Sequence, residues 1–185
     1  MEKVILGEKE IQGIASRLGE RISRDYAHNE KPPVLLCVMN GAMNFAADLM
    51  KRITIDVIFD YVQVKSWEGT KSTGKIEMVK DVFVNIADRD VLIVEDIIDS
   101  GASMHFLIHY LKEKYQPRSV KVCALFDKPS GRKIQIEADY TGFVLEGNEF
   151  LVGYGLDYKG LVRNVPFVYV PSKDEIANWD KETED

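Results

Sequence analysis

Val91-Leu92-Ile93-Val94-Glu95-Asp96-Ile97-Ile98-Asp99-Ser100-Gly101-Ala102-Ser103 is the stretch whose reading decides the fold. Val91 to Val94 are apolar and mostly β-branched, which predicts a strand buried on both faces. The adjacent carboxylates Glu95 and Asp96 fall where that strand is expected to end. After Ser100 to Ser103 a helical pattern takes over, with Phe106, Leu107, Tyr110 and Leu111 on one face. The order is therefore strand, acidic loop, helix, and in an open α/β sheet ligands bind at the carboxyl ends of strands. Gly101 permits a tight turn and close approach of an anion. The hydroxyls of Ser100 and Ser103, with the unpaired first N–H groups of the helix, form a phosphate cradle. Glu95, Asp96 and Asp99 would repel a phosphate lying beside them. Both halves are served if the carboxylates hold sugar hydroxyls or Mg²⁺ and the cradle holds a phosphate a sugar's length away. No Gly-Lys-Ser/Thr ending is present, so the loop is not of the Walker type.

Working outward, the 185 residues predict one domain with a full core. A hydrophobic fraction of 45% and a charged fraction of 29% are ordinary for a soluble protein. The net charge of −6 argues against a nucleic-acid footprint. No apolar run approaches the roughly 20 residues of a membrane span. The opening Met-Glu-Lys-Val-Ile-Leu-Gly-Glu has no basic region followed by an apolar one, so no secretory leader is expected. Cys37 and Cys123 lie in apolar runs and read as buried thiols in a reducing cytoplasm.

Periodicity predicts an amphipathic helix over 8–27, a breaker loop over 28–33, a buried strand over 34–39 and a short helix over 43–52. Strands are expected at 55–64, 75–84 and 119–126, with pieces near 142–145, 150–154 and 167–170. The polar run 66–75 reads as a loop, and the last dozen charged residues as a frayed tail. Strands alternating with helices imply an α/β fold with a mostly parallel central sheet. His105 and His109 are spaced i, i+4 but have no third ligand, and are read as ordinary helix residues.

Val-Glu-Asp-Ile-Ile-Asp-Ser-Gly resembles the phosphoribosyl-pyrophosphate motif of type I phosphoribosyltransferases, in the form of the hypoxanthine-guanine branch. Further motifs follow in that family's order from residue 34 to 170. Asn40-Gly41 falls at its pyrophosphate loop, which usually reads Leu-Lys-Gly and holds a cis peptide; Asn40 here replaces the lysine. Ser66-Trp67 falls at the start of its mobile lid, over about 66–75, with tryptophan in place of the usual tyrosine. Asp127-Lys128-Pro129 matches the bacterial motif whose lysine donates to the exocyclic oxygen of a 6-oxopurine. Gly153-Tyr154-Gly155-Leu156-Asp157-Tyr158 is the longest match. It aligns Phe150 with the aromatic that stacks on the purine, Leu151 with a residue whose backbone reads the base edge, Asp157 with a Mg²⁺ ligand and Arg163 with a pyrophosphate-binding arginine. The segment 142–149 is one residue longer than usual and lacks a proline.

The resemblance implies a type I phosphoribosyltransferase fold, a parallel sheet flanked by helices with a small hood built from the N- and C-terminal parts. It implies Mg²⁺-dependent transfer of a 5-phosphoribosyl group from phosphoribosyl pyrophosphate to hypoxanthine or guanine. Asp99 would be the general base, Glu95 and Asp96 would hold the ribose, and Ser100, Gly101, Ala102 and Ser103 the 5′-phosphate. Asn40, Gly41 and Arg163 would meet pyrophosphate. Lys128, Phe150, Leu151 and Asp157 would line the purine site. The metal ligand would be Asp157, with Glu95 and Asp96 as further candidates. Xanthine stays open as a base, and the family implies a homodimer or homotetramer. A regulator that binds phosphoribosyl pyrophosphate without catalysis is the alternative; such a protein would need neither Asp99 nor Lys128.

Overall fold

A computed structural model of the chain describes residues 1–66 and 76–183. Trp67 and nearly all of the expected lid, 66–75, therefore lie outside the described residues. The main sheet contains β2 (Val34–Met39), β3 (Ile58–Ser66), β4 (Ile76–Lys80), β5 (Asp90–Ile98), β6 (Ser119–Asp127) and β7 (Tyr140–Val144), in the order β4-β3-β2-β5-β6-β7. Only β4 runs antiparallel. Helices α1 (Glu8–Tyr26) and α2 (Met43–Met50) cover one face and α3 (Ala102–Tyr115) the other. A second sheet pairs β1 (Lys3–Leu6) with β8 (Val168–Val170) and so brings together residues near the two ends of the chain.

Burial on both faces explains the unbroken apolar runs of the central strands. Val34, Leu36 and Val38 of β2 pack with Val91 and Ile93 of β5 on the α3 side. Leu35 and Cys37 pack with Leu92 and Val94 on the α1–α2 side. The two cysteines are free and buried. In the hydrocarbon-like surroundings of this core, burial pushes the Cys37 thiol up to about 12, assisted by the charges of Glu95 and Asp96.

Four expectations are corrected. First, β5 does not stop at Val94. It continues to Ile98, because Glu95 pairs with Ala124 and Ile97 with Phe126 of the equally long β6. Second, β4 stops at Lys80, short of Val84. The Asp60 carboxylate accepts the N–H groups of Phe83 (2.6 Å) and Val84 (3.0 Å), which then have no ladder to join. Third, 150–154 is not a strand. Val152 makes one isolated antiparallel bridge with Tyr169, and Gly153 and Tyr154 then turn the chain with positive φ. Fourth, the charged tail is not frayed throughout, since α4 spans Lys173–Glu182. The Ser172 hydroxyl accepts from the Glu175 N–H (3.3 Å) and the Glu175 carboxylate accepts from the Ser172 N–H (2.9 Å). Ser-x-x-Glu is a reciprocal cap that satisfies donors at the helix start.

Two glycines of α1 give a paired test of this packing. A Cβ at Gly19 would lie 2.6 Å from the Arg52 Cβ and 2.8 Å from its backbone carbonyl, whereas one at Gly13 would meet nothing within 4 Å. Gly13→Ala is expected to stabilise by about 0.5–1 kcal/mol through helix propensity. Gly19→Ala is expected to destabilise by about 1–3 kcal/mol, because backbone must move to admit the methyl. Thermal unfolding of the two variants should move in opposite directions; two rises would mean that the α1–Arg52 contact is loose.

Candidate active site

Strand register assembles the site. Cys37 pairs with Val94, so the end of β2 lies beside the carboxylates of β5. Ile98 pairs with Asp127, so the residues that follow, Asp99 and Lys128, emerge side by side. The backbone continues the match, with the Lys128 N–H donating to the Ile98 carbonyl (3.0 Å). Beyond Val94 the edge of β5 that faces β2 is no longer paired, and Met39-Asn40-Gly41 turns there. The Met39–Asn40 peptide is cis. Gly41 sits against the Asp96 carboxylate so closely that an added Cβ would be 1.8 Å from an oxygen. A Cβ at Gly155 would lie 2.1 Å from the Gly41 carbonyl oxygen. The Asn40–Gly41 turn is thus wedged between Asp96 of β5 and the loop that bears Gly155.

Residues 95–101, with Ser103 and Met104, line a cleft of about 220 Å³ at the start of α3. Gly101 has φ +82° and precedes the helix, a conformation that L side chains rarely adopt. The Ser100 hydroxyl accepts from the Ala102 N–H (3.3 Å), and the Ser100 carbonyl accepts from the N–H groups of Lys133 and Ile134 (both 3.0 Å). The cradle is thus a loop stapled from outside rather than a free turn.

On the other side of Asp99, the Lys128 ammonium lies 3.5 Å from its carboxylate. The lysine is buried and Asp99 half exposed. Gly131 presses on the same carboxylate, where an added Cβ would be 1.6 Å from Oδ1. Arg132 completes the structure beneath them. Its guanidinium donates to the carbonyls of Asp99 (3.0 Å), Ile98 (3.2 Å) and Ile136, and to the Asp127 carboxylate. Sequence reasoning stopped at Pro129 and missed both Gly131 and Arg132. A glycine and an arginine three and four residues after a lysine at a strand end were the available signal.

Asp157 and Arg163 form an ion pair at 2.8 Å, and the Gly160 N–H donates to the same aspartate at 2.6 Å. Arg163 also donates to the Gly155 carbonyl, 2.5 Å away. Leu151 is buried. Phe150 is 50% exposed and meets the Tyr158 ring edge to face, centroids 6.0 Å apart. Asn40 is exposed, and Ser66 closes β3 at the rim of the undescribed segment. His105 and His109 stack on the exposed part of α3, and no group of three metal-ligating side chains gathers among the described residues.

The electrostatics of the pair Glu95–Asp96 are unfavourable in isolation. Burial pushes the Glu95 carboxyl well above its ordinary range, and the neighbouring Asp96 charge adds to this. Burial also raises Asp96, while hydrogen bonds and the Arg163 charge pull it back. A site that keeps two carboxylates against such a penalty is a functional candidate on physical grounds.

A parallel sheet covered on both faces, with an acidic pair and a helix-start cradle at its carboxyl end, is the arrangement of an α/β protein that binds a phosphorylated sugar. The profile of the phosphoribosyl transferase domain matches residues 5–159. The chain belongs to that family. Among similar proteins, the hypoxanthine-guanine phosphoribosyltransferase of Streptococcus thermophilus is 42% identical over 179 residues, covering 96% of this chain and 97% of that protein. The bifunctional protein TilS/HprT of Listeria monocytogenes is 41% identical over 169 residues; the chain spans only 26% of its length. A crystal structure of a Staphylococcus aureus hypoxanthine phosphoribosyltransferase superposes with a TM-score of 0.88 at 37% identity, over 95% of this chain and 94% of that one.

The raised Glu95 carboxyl sets a sign for stability against pH. The folded chain binds the Glu95 proton more tightly than the unfolded chain, so this residue's contribution falls as pH rises above the ordinary value of 4.5. Glu95→Gln keeps the shape and removes the charge. In chelator-treated buffer its melting temperature should match the wild type near pH 4.5 and exceed it by about 2–4 °C at pH 8. A constant offset across that range would mean that Glu95 is not desolvated in solution.

Proposed function

We propose that the chain transfers the 5-phosphoribosyl group of phosphoribosyl pyrophosphate to N9 of hypoxanthine or guanine, releasing pyrophosphate and the nucleoside monophosphate. The observation that supports this reading best is the pairing of Ile98 with Asp127, which sets Asp99 and the buried Lys128 next to each other beside the cradle. On a 6-oxopurine, O6 and N7 are neighbours on one edge. An ammonium has donors only and suits O6; a carboxylate is an acceptor and suits the N7 proton. One pair of side chains therefore reads that edge and removes its proton.

In this reading Glu95 and Asp96 accept from the ribose hydroxyls and fix the sugar. The Ser100–Ser103 loop and the first N–H groups of α3 hold the 5′-phosphate. Asn40 and Gly41 present backbone to the pyrophosphate, and Arg163 takes up charge as it leaves. As N9 attacks C1′, the C1′–O bond to pyrophosphate breaks and Asp99 accepts the proton of N7. Phe150 supplies a face for the base and Leu151 backbone for its edge. The pair Glu95–Asp96, or Asp157 separately, would offer Mg²⁺ the carboxylate oxygens it takes, because this ion binds through one or two carboxylates plus substrate phosphates rather than a protein cage. When bound, it would neutralise pyrophosphate oxygens. The same reading places the reaction in the cytoplasm, with Cys37 and Cys123 reduced, and takes the protein to be a homodimer or homotetramer.

Two assays test it. Initial rates with the four purines should favour hypoxanthine and guanine over adenine by at least ~100-fold, since a mispaired buried donor is strongly discriminating. Comparable rates with adenine would refute the role of Lys128. Asp99→Ala should lower turnover by about 10²–10⁴-fold with little change in binding of phosphoribosyl pyrophosphate. Turnover near wild type would make Asp99 structural.

A further inference from the structure

Helix α4 itself takes no part in the chemistry above. Yet α4 reaches the base side of the site through two side chains. The Tyr158 ring lies against the Trp179 ring, centroids 5.7 Å apart at 37°. The Tyr158 hydroxyl donates to the Asp180 carboxylate at 2.8 Å, and the Lys159 ammonium meets the same carboxylate at 2.7 Å. Tyr158 in turn supports Phe150, the two rings meeting at 83°. The result is a chain of three rings, Trp179, Tyr158 and Phe150, of which the last is half exposed.

We propose that α4 is a positioning element of the base site: Trp179 and Asp180 fix the Tyr158 ring, and Tyr158 fixes the plane of Phe150. This rests on the reading of Phe150 as the face on which the purine lies. A half-exposed phenylalanine with no support would sample several rotamers, and binding a flat base would then carry the cost of ordering it. An edge-to-face contact defines one ring plane, and the tyrosine is itself held by a hydrogen bond at one end and an indole tilted against its ring. The neighbouring Asp157 is held separately, by Arg163 and the Gly160 N–H, so loss of the α4 contacts falls on Tyr158 and Phe150 rather than on the donor side. The cradle at Ser100–Ser103 lies on another loop, after β5.

The test separates base binding from donor binding. Relative to wild type, Trp179→Ala should raise KM for hypoxanthine and guanine about three- to ten-fold, the scale of one aromatic pair. KM for phosphoribosyl pyrophosphate should stay within about two-fold, since only base binding is affected. Trp179→Phe, which keeps a ring, should recover most of the base affinity, and Asp180→Ala should repeat the selective effect. A uniform rise in both KM values, or a fall in melting temperature with neither KM changed, would overturn the proposal by making α4 a general stabiliser. A wild-type protein inert toward both bases would remove the transferase reading and this inference with it. An active wild type whose Trp179→Ala variant has unchanged KM values would overturn the role of α4 alone.

Discussion

Parallel pairing of β5 with β2 on one side and β6 on the other is the constraint from which the site follows. Side-chain direction in a strand alternates with a period of two, so a slip of one residue would exchange every buried and functional position. Here the alternation is pinned by two cores, with Val91 and Ile93 facing α3 and Leu92 and Val94 facing α1 and α2. The same registers deliver the Asn40–Gly41 turn to Asp96 and Lys128 to Asp99. The hydrophobic effect acting on four apolar residues thus decides which polar groups meet at a distance of 3.5 Å.

The carboxyl end of the sheet gathers Glu95, Asp96, Asp99, Asp127 and Asp157, and the cations near them are few. Asp127 is matched by Arg132, Asp157 by Arg163 and Asp99 by Lys128. Among the described residues Glu95 has no such partner, and its carboxylate accepts from the Asp96 N–H. The pair Glu95–Asp96 is therefore where the unliganded protein carries its unfavourable charge. Sugar hydroxyls, and a divalent cation where one binds, are the species that would relieve it.

Much of this was legible in the sequence, for reasons that can be located. Continuous apolar runs bounded by Gly, Pro and charge marked β2 and β6 closely, because strands buried on both faces have little freedom in composition. The motif residues stood at strand ends, where fold class alone predicts ligands. What escaped depended on partners distant in the chain. β1 is four residues long and exists through pairing with β8, more than 160 positions away. β5 continued past its acidic pair because β6 continued beside it. The loss of β4 after Lys80 required Asp60 to capture two N–H groups. The helix α4 was the exception, since its Ser172–Glu175 cap is local and the tail was read from its charge alone.

Arg132 has one more consequence. Its donors are spent on the carbonyls of Ile98, Asp99 and Ile136 and on the Asp127 carboxylate, so the guanidinium is a bracket between two loops and not a free charge. Its planar fork fixes those partners in angle as well as distance. The thermal displacements of the loops bearing Asp99 and Lys128 are therefore correlated: they drift together rather than apart. In the proposed reading, a base seated wrongly against Lys128 would by the same displacement be out of reach of Asp99. Discrimination at O6 and proton removal at N7 would then share one source of geometric error, and a misread base would also be a poorly reacting one.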